Sequence, residues 1–204
     1  MNAAAEITER AMARGAAQKP PELEQMVMLL LERAPAIVME IGTMDGGTLS
    51  AWCDCATDDA LIVSVDLPGG PWGGGYNSHR RAAIEGFAKP GQRLVLIEGD
   101  SRAPETRERV LWELDDRELD FLFIDGDHSY QGVGSDFAIY GALVRHGGLA
   151  ALHDVLPHPQ EQTVEVDRFW AELKERFDLV HEFCVDGHER TWGPWGGIGV
   201  VEFA

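Results

Sequence analysis

Acidic residues recur at the ends of apolar runs along this 204-residue chain. Glu40 closes "AIVME", Asp66 closes "LIVSVD", Glu98 and Asp100 bracket the end of "RLVLIEGD", Asp125 and Asp127 end "FLFIDGD", and Asp154 follows His153 in "LAALHD". A carboxylate placed there can accept hydrogen bonds from ligand hydroxyls, hold a hard cation, or take part in proton transfer. Asp125 and Asp154 are spaced to share one divalent cation, and an oxygen donor set suits Mg²⁺. His153 is the candidate third ligand, and its nitrogen favours a softer ion such as Mn²⁺ or Zn²⁺. Adjacent residues on a strand point to opposite faces. His153 and Asp154 therefore reach one ion only if the strand has already ended, which the loop at Pro157 permits. His128, with an ordinary pKa of about 6.5, can take up or give a proton near neutral pH. Asp127 beside it either orients that ring or binds substrate, the alternative being a helix cap.

The turn in "EIGTMDGGTLSAW" is the second chemical signal. Gly42 allows a tight turn after a strand, and Gly46 and Gly47 allow backbone to approach a ligand where a helix begins. The dinucleotide fingerprint is G-x-G-x-x-G. Its second glycine is missing here, since Thr43 and Met44 stand in that place, and no phosphate-binding lysine follows. The cradle thus suits a nucleoside ligand without a pyrophosphate, with Asp66 accepting hydrogen bonds from both ribose hydroxyls.

Strands and helices must alternate to bring these residues together. "EITERAMARGAAQ" and "PELEQMVMLLLERA" read as two helices parted at Lys19-Pro20-Pro21. Five strands separated by helices follow, then a last helix and two strands, "LVHEFCV" and "GIGVVEF". The early strands are continuously apolar, as in a parallel sheet covered on both faces. The expected fold is α/β and Rossmann-like: a doubly wound, mostly parallel seven-stranded sheet with an antiparallel terminal strand and helices on both faces. Residues 1–35 form an N-terminal helical cap or a homo-oligomer contact, and residues 36–204 the ligand-binding domain. In such folds ligands collect at the carboxyl ends of the strands.

A net charge of −18 opposes nucleic acid and anionic membranes as partners. No run reaches the roughly 18 apolar residues of a membrane span. The N-terminal stretch reads as polar and helix-forming rather than as a signal peptide. Cys53, Cys55 and Cys184 lack metal-type spacing and read as packing thiols of a cytoplasmic protein.

The pattern E-x-G-x-x-x-G with an acid ending the second strand resembles class I S-adenosylmethionine-dependent methyltransferases. By that resemblance, Glu40 helps position the methionine part of the cofactor, and Thr48 with the backbone after Gly46 faces its carboxylate. "IEGDS" is similar to the adenine-binding segment, with Asp100 at the exocyclic amine and Ser101 beside it. Residues 121–155 resemble metal-dependent O-methyltransferases of sugars, the macrolide-sugar and cephalosporin hydroxylase-like branch. The resemblance implies S-adenosyl-L-methionine and Mg²⁺ as cofactors, with Mn²⁺ as the alternative ion. It also implies Asp125 beside both cofactor and metal, and His128 as base. His153 departs from the pattern, since an acid often stands there. The glycine-rich loops at residues 67–81 and 186–199 carry Trp72, Tyr76, Trp192 and Trp195, whose rings suit stacking on a sugar. The expected substrate is a sugar hydroxyl on a small molecule or glycan. A phenol or catechol acceptor, and a non-catalytic cofactor-binding relative, are the alternatives.

Overall fold

A computed structural model describes residues 2–70, 73–185 and 193–204. The chain runs α1 (Ala3–Ala13), α2 (Pro20–Arg33), β1 (Ile37–Ile41), α3 (Gly47–Cys55), β2 (Leu61–Asp66), α4 (Ser78–Glu85) and β3 (Arg93–Glu98). It continues through α5 (Pro104–Leu114), β4 (Leu119–Ile124), α6 (Tyr130–Tyr140), a 3-10 turn at Gly141–Leu143, β5 (Val144–His153), α7 (Val166–Arg176), β6 (Val180–Phe183) and β7 (Ile198–Glu202). The seven strands form one sheet in the order β3-β2-β1-β4-β5-β7-β6. β1 to β5 are parallel, and β7 lies antiparallel between β5 and β6. This is the expected Rossmann-like sheet with its antiparallel terminal edge.

Alternation along the strands divides the core between two faces. Phe121 and Phe123 of β4 meet Trp52 of α3 at ring-centroid distances of 5.2 and 5.1 Å, on the face that α1 and α2 also cover. Leu122 and Ile124 point the other way, into the cluster with Val110, Phe137, Phe169 and Trp170. The N-terminal helices thus share the core of the sheet. Among the described residues, no helix is long and apolar enough to cross a membrane.

Helix boundaries differ from the sequence pattern where caps decide them. α1 begins at Ala3 because the Asn2 side chain accepts from the Ala5 N–H at 2.8 Å. It ends before Gly15, whose φ of +92° is the left-handed conformation that closes helices. Residues 15–19 are therefore a connection rather than helix. α6 starts at Tyr130 because Ser129 caps the Gly132 N–H at 3.0 Å.

The connection leads into a buried ion pair. Lys19 and Glu22 are both buried, with Nζ 3.6 Å from Oε1. Glu22 also accepts from the backbone N–H groups of Val185 and Gly197, each at 2.9 Å. One carboxylate thus holds both ends of the segment between β6 and β7. Glu22→Gln keeps the volume but leaves one backbone donor facing an amide N–H. The expected loss is about 1–3 kcal/mol, read as a lower urea midpoint at unchanged slope; an unchanged midpoint would deny Glu22 this role.

Candidate functional site

The strand order reverses between β1 and β4, and a cavity of about 940 Å³ opens beyond the carboxyl ends of the strands there. Ligand pockets commonly occupy roughly 300–1,000 Å³, so the volume admits a nucleoside and a second small molecule. Its wall brings together the cradle after β1, Asp66, Asp100, the segment from Asp125 to Ser129, and His153 with Asp154. Gly15 to Gln18 of the α1–α2 connection complete it.

The cradle glycines do more for the protein than the sequence implied. A Cβ on Gly42 would lie 2.1 Å from the Asp125 carbonyl oxygen, and one on Gly47 would lie 2.0 Å from the Ala16 nitrogen. Gly42 therefore admits the end of β4, and Gly47 admits the α1–α2 connection. Close approach by a ligand is not their first requirement. Gly46 caps α3 at φ +83°, where a side chain is strained. The Thr43 N–H donates to Asp66 Oδ1 at 3.3 Å and the Gly75 N–H to Oδ2 at 2.7 Å. Burial nevertheless raises the Asp66 pKa, outweighing these bonds.

Glu40 is fully buried beneath this layer. Its Oε1 accepts from Thr48 Oγ1 at 2.7 Å and Trp52 Nε1 at 2.8 Å, while Oε2 has no partner. Burial pushes its carboxyl up to about 8, against those hydrogen bonds. Thr48 lines the cavity, whereas Glu40 lies behind it and is not part of the cavity wall. Tyr76 corrects an expectation. It is buried rather than displayed to a substrate, because its hydroxyl bonds Thr43 Oγ1 at 3.0 Å and Ser64 Oγ at 2.8 Å under the cradle.

At the end of β3, Asp100 Oδ1 accepts from the Arg102 N–H at 2.9 Å, which holds its pKa below the ordinary carboxylate value. Ser101 donates to Asp136 Oδ1 at 2.6 Å, and the Tyr140 hydroxyl donates to the Ser101 carbonyl at 2.6 Å. Asp136 escaped the sequence reading. It sits on the buried face of α6 among Val133, Phe137 and Tyr140, and burial pushes its carboxyl up to about 6. An acid within an apolar helical face was the signal available.

Asp125, His128 and Asp154 cluster at the carboxyl ends of β4 and β5. His128 Nε2 lies 3.2 Å from Asp125 Oδ1, and its Nδ1 lies 3.2 Å from Asp154 Oδ2. Asp154 has φ +61°, a strained conformation for a residue with a side chain. That backbone turn resolves the alternation problem, since it lets the carboxylate rejoin the side on which His153 points. His153 Nδ1 lies 3.2 Å from Asp125 Oδ1 and 3.5 Å from Asp154 Oδ2, and its Nε2 is buried without a partner. Burial disfavours both imidazolium forms. The neighbouring carboxylates outweigh it, raising the His128 pKa and pushing His153 up to about 9. Burial also opposes charge on Asp125, but the two histidines hold its pKa down at about 2.

Among the described residues, Asp125, His128 and Asp154 offer ligand atoms within 4.8 Å of one another. Two carboxylate oxygens and an imidazole nitrogen fit a divalent cation. His128 thus joins the set that the sequence reading built on His153. Asp127 is a second correction. Its carboxylate accepts from the Ser129 N–H at 3.0 Å and Arg102 Nη1 at 2.9 Å, so it does not orient His128; Asp125 and Asp154 do.

Trp195 lines the cavity and packs at a tilt against His158, with ring centroids 6.1 Å apart and planes 35° from parallel. Trp72 and Trp192, the other two proposed stacking residues, lie outside the described residues. Gln18 also escaped the sequence reading. It lines the cavity and donates from Nε2 to Asp125 Oδ2 at 2.6 Å. No local pattern marks it, because the contact joins residues 107 positions apart.

A family model described as "Methyltransferase domain" matches residues 39–155. A protein of Mycobacterium sp. (strain JLS) described as "Putative O-methyltransferase" is 32% identical over 152 residues, which are 71% of this chain and 60% of that protein. The chain therefore spans 60% of the length of that curated relative. The O-methyltransferase TomG from Streptomyces achromogenes, solved with S-adenosylmethionine, superposes with TM-score 0.66 at 16% identity, covering 100% of this chain and 91% of that one. An O-methyltransferase from Bacillus cereus, solved with S-adenosylhomocysteine, gives TM-score 0.64 at 17% identity, covering 99% and 91%. MycE methyltransferase from the mycinamycin biosynthetic pathway, in complex with Mg, S-adenosylhomocysteine and mycinamycin VI, gives 0.65 at 18% identity, covering 98% and 54%. At these identities the structural likeness is one of fold.

Proposed function

This chain belongs to the methyltransferase-domain family, and on that premise we propose that it is an S-adenosylmethionine-dependent O-methyltransferase acting on a sugar hydroxyl, with a divalent cation and His128 as general base. One observation carries the reading. Asp66, in the position of a ribose acceptor, and the Asp125–His128–Asp154 centre line the same cavity. A nucleoside cradle and a proton acceptor are thus within one substrate's reach. The complex of MycE with Mg, S-adenosylhomocysteine and mycinamycin VI supports the cation and acceptor class by analogy of fold alone.

The cofactor supplies an electrophilic methyl group on a positively charged sulfur. Asp66 and the turn from Gly42 to Met44 hold the nucleoside, with Asp100 and Ser101 at the base. His128 would take the proton of the acceptor hydroxyl as that oxygen accepts the methyl group. Asp125 and Asp154 orient the imidazole and spread its acquired charge. The same two carboxylates would hold a divalent cation, Mg²⁺ or Mn²⁺, which when bound would supply Lewis acidity toward the acceptor oxygen. Trp195 forms part of the acceptor wall. The net charge of −18 favours a small molecule or neutral glycan over nucleic acid.

Calorimetric titration with S-adenosylhomocysteine, with and without Mg²⁺ or Mn²⁺, tests the cofactor and the ion. Asp66→Ala should weaken nucleoside binding by about 10- to 100-fold, in line with ~1.5–3 kcal/mol for hydrogen bonds to a charged group. Unchanged affinity would remove Asp66 from the site. Methyl transfer to sugar acceptors then tests the substrate class. Turnover of a catechol without any turnover of sugars would replace the sugar acceptor with a phenolic one.

A further inference from the structure

Gln18 has one more polar atom than the protein uses. Its side chain is 3% exposed and forms part of the cavity wall. Nε2 donates to Asp125 Oδ2, but Oε1 is buried without a hydrogen-bond partner. A buried amide oxygen left unmatched costs about 1–3 kcal/mol, so a ligand donor is its natural complement. The surroundings define that donor. Gln18 Oε1 adds an acceptor beside Asp125, whose Oδ2 takes the Gln18 Nε2 proton and whose charge, with that of Asp154, is offset by His128 and His153 at 3.2–3.5 Å. A cationic group with several N–H donors fits these acceptors better than a hydroxyl, which has one. The same connection packs on the first turn of α3 at Gly47, where Thr48 lines the cavity and helix N–H groups attract an anion. A carboxylate and an ammonium on one carbon would meet both features.

We propose that Gln18 binds the α-ammonium of the cofactor's aminoacyl end through Oε1 while its amide N–H fixes Asp125 beside that group. This assignment rests on the S-adenosylmethionine reading. It makes the α1–α2 connection a part of the binding site and Gln18 a specificity-determining residue for an amino-acid nucleoside over a plain nucleoside.

The test compares three ligands by calorimetry with chelator present. They are S-adenosylhomocysteine, its analogue with hydrogen in place of the α-amino group, and 5′-methylthioadenosine, which lacks the aminoacyl end. The native chain should prefer S-adenosylhomocysteine over the deaminated analogue by tenfold or more. Gln18→Met conserves volume without donor or acceptor; it should bring that preference close to one and leave 5′-methylthioadenosine affinity unchanged. Gln18→Asn, which draws both polar atoms back by one methylene, is read on the same ratio should Gln18→Met fail to fold. An unchanged preference, or equal losses for all three ligands, overturns the assignment. Binding of none of them by the native chain overturns the cofactor reading itself, and this inference with it.

Discussion

His128→Ala should lower the rate of methyl transfer by 10²- to 10⁴-fold, the range general-base catalysis commonly supplies, while leaving S-adenosylhomocysteine affinity within about twofold. An unassisted sugar hydroxyl is a very weak acid, and His128 is the imidazole held between two carboxylates 3.2 Å from each ring nitrogen. Losing it removes the proposed proton acceptor while leaving Asp66, Asp100 and Ser101, the residues proposed to hold the nucleoside, untouched. Asp127→Asn is the internal control. Asp127 bonds Ser129 and Arg102 rather than the imidazole, so its loss should change the rate only a few-fold. The structure also gives His128 a second possible use, since it is one of the three groups able to surround a cation. A metal titration separates the two uses. Lost turnover with unchanged Mn²⁺ affinity identifies a base, whereas lost turnover with a tenfold weaker Mn²⁺ affinity identifies a ligand. Full activity in the variant would eliminate both.

The elements that build this site were legible because their signals are local. Continuous apolar runs such as "LIVSVD" can hardly be anything but buried parallel strands, and the acids ending them had to gather at one edge of the sheet. What escaped depends on contacts between distant segments. Nothing near Gln18 announces that it meets Asp125, and no strand rule places Asp154 at φ +61°. The glycines were right in position and incomplete in reason, since Gly42 and Gly47 make room for protein backbone at 2.1 and 2.0 Å. Tyr76 and Asp127 mark a further limit. Composition offers a ring for stacking or an acid for orientation, but only packing decides whether a hydroxyl turns inward to Ser64 or a carboxylate turns away to Arg102. Glu22 and Asp136 were readable in principle. Each is an acid in an apolar helical face, Glu22 with Met26 and Leu30, Asp136 with Val133 and Tyr140. Such residues cannot be ordinary surface charges.

The metal-free chain should be most stable in mildly acidic solution and lose several kcal/mol between about pH 5 and pH 9. Three buried groups set the sign: Glu40 and His153 most strongly, and Asp136, whose carboxyl burial pushes from 3.8 up to about 6, with a smaller fall of the same sign at the acidic end. The Glu40 carboxyl is pushed from 4.5 up to about 8 by burial. Its ionisation is therefore less favourable folded than unfolded, so stability falls as pH rises from 4.5 through about 8. His153 is protonated up to about 9 against an ordinary 6.5, because Asp125 and Asp154 outweigh its burial. Its contribution is complete below 6.5 and lost as pH rises through about 9. Each limb is worth on the order of 2–4 kcal/mol. Asp125 acts at the other end: its pKa of about 2 against 3.8 means that its contribution disappears as pH falls through that range. The Asp125 and His153 shifts describe largely one mutual attraction and are counted once. Urea midpoints measured across pH with chelator present should thus peak between about pH 4 and 6. Glu40→Gln, nearly isosteric and unable to ionise, should flatten the limb from 4.5 to 8, and His153→Asn the limb from 6.5 to 9. Mn²⁺ should act most strongly on the alkaline side, because a cation and protons compete for His128 and the carboxylates. A metal-free chain that grows more stable from pH 5 to 9 would contradict the burial of Glu40 and His153. A profile that Glu40→Gln flattens but His153→Asn does not would place the histidine, but not the glutamate, in contact with water.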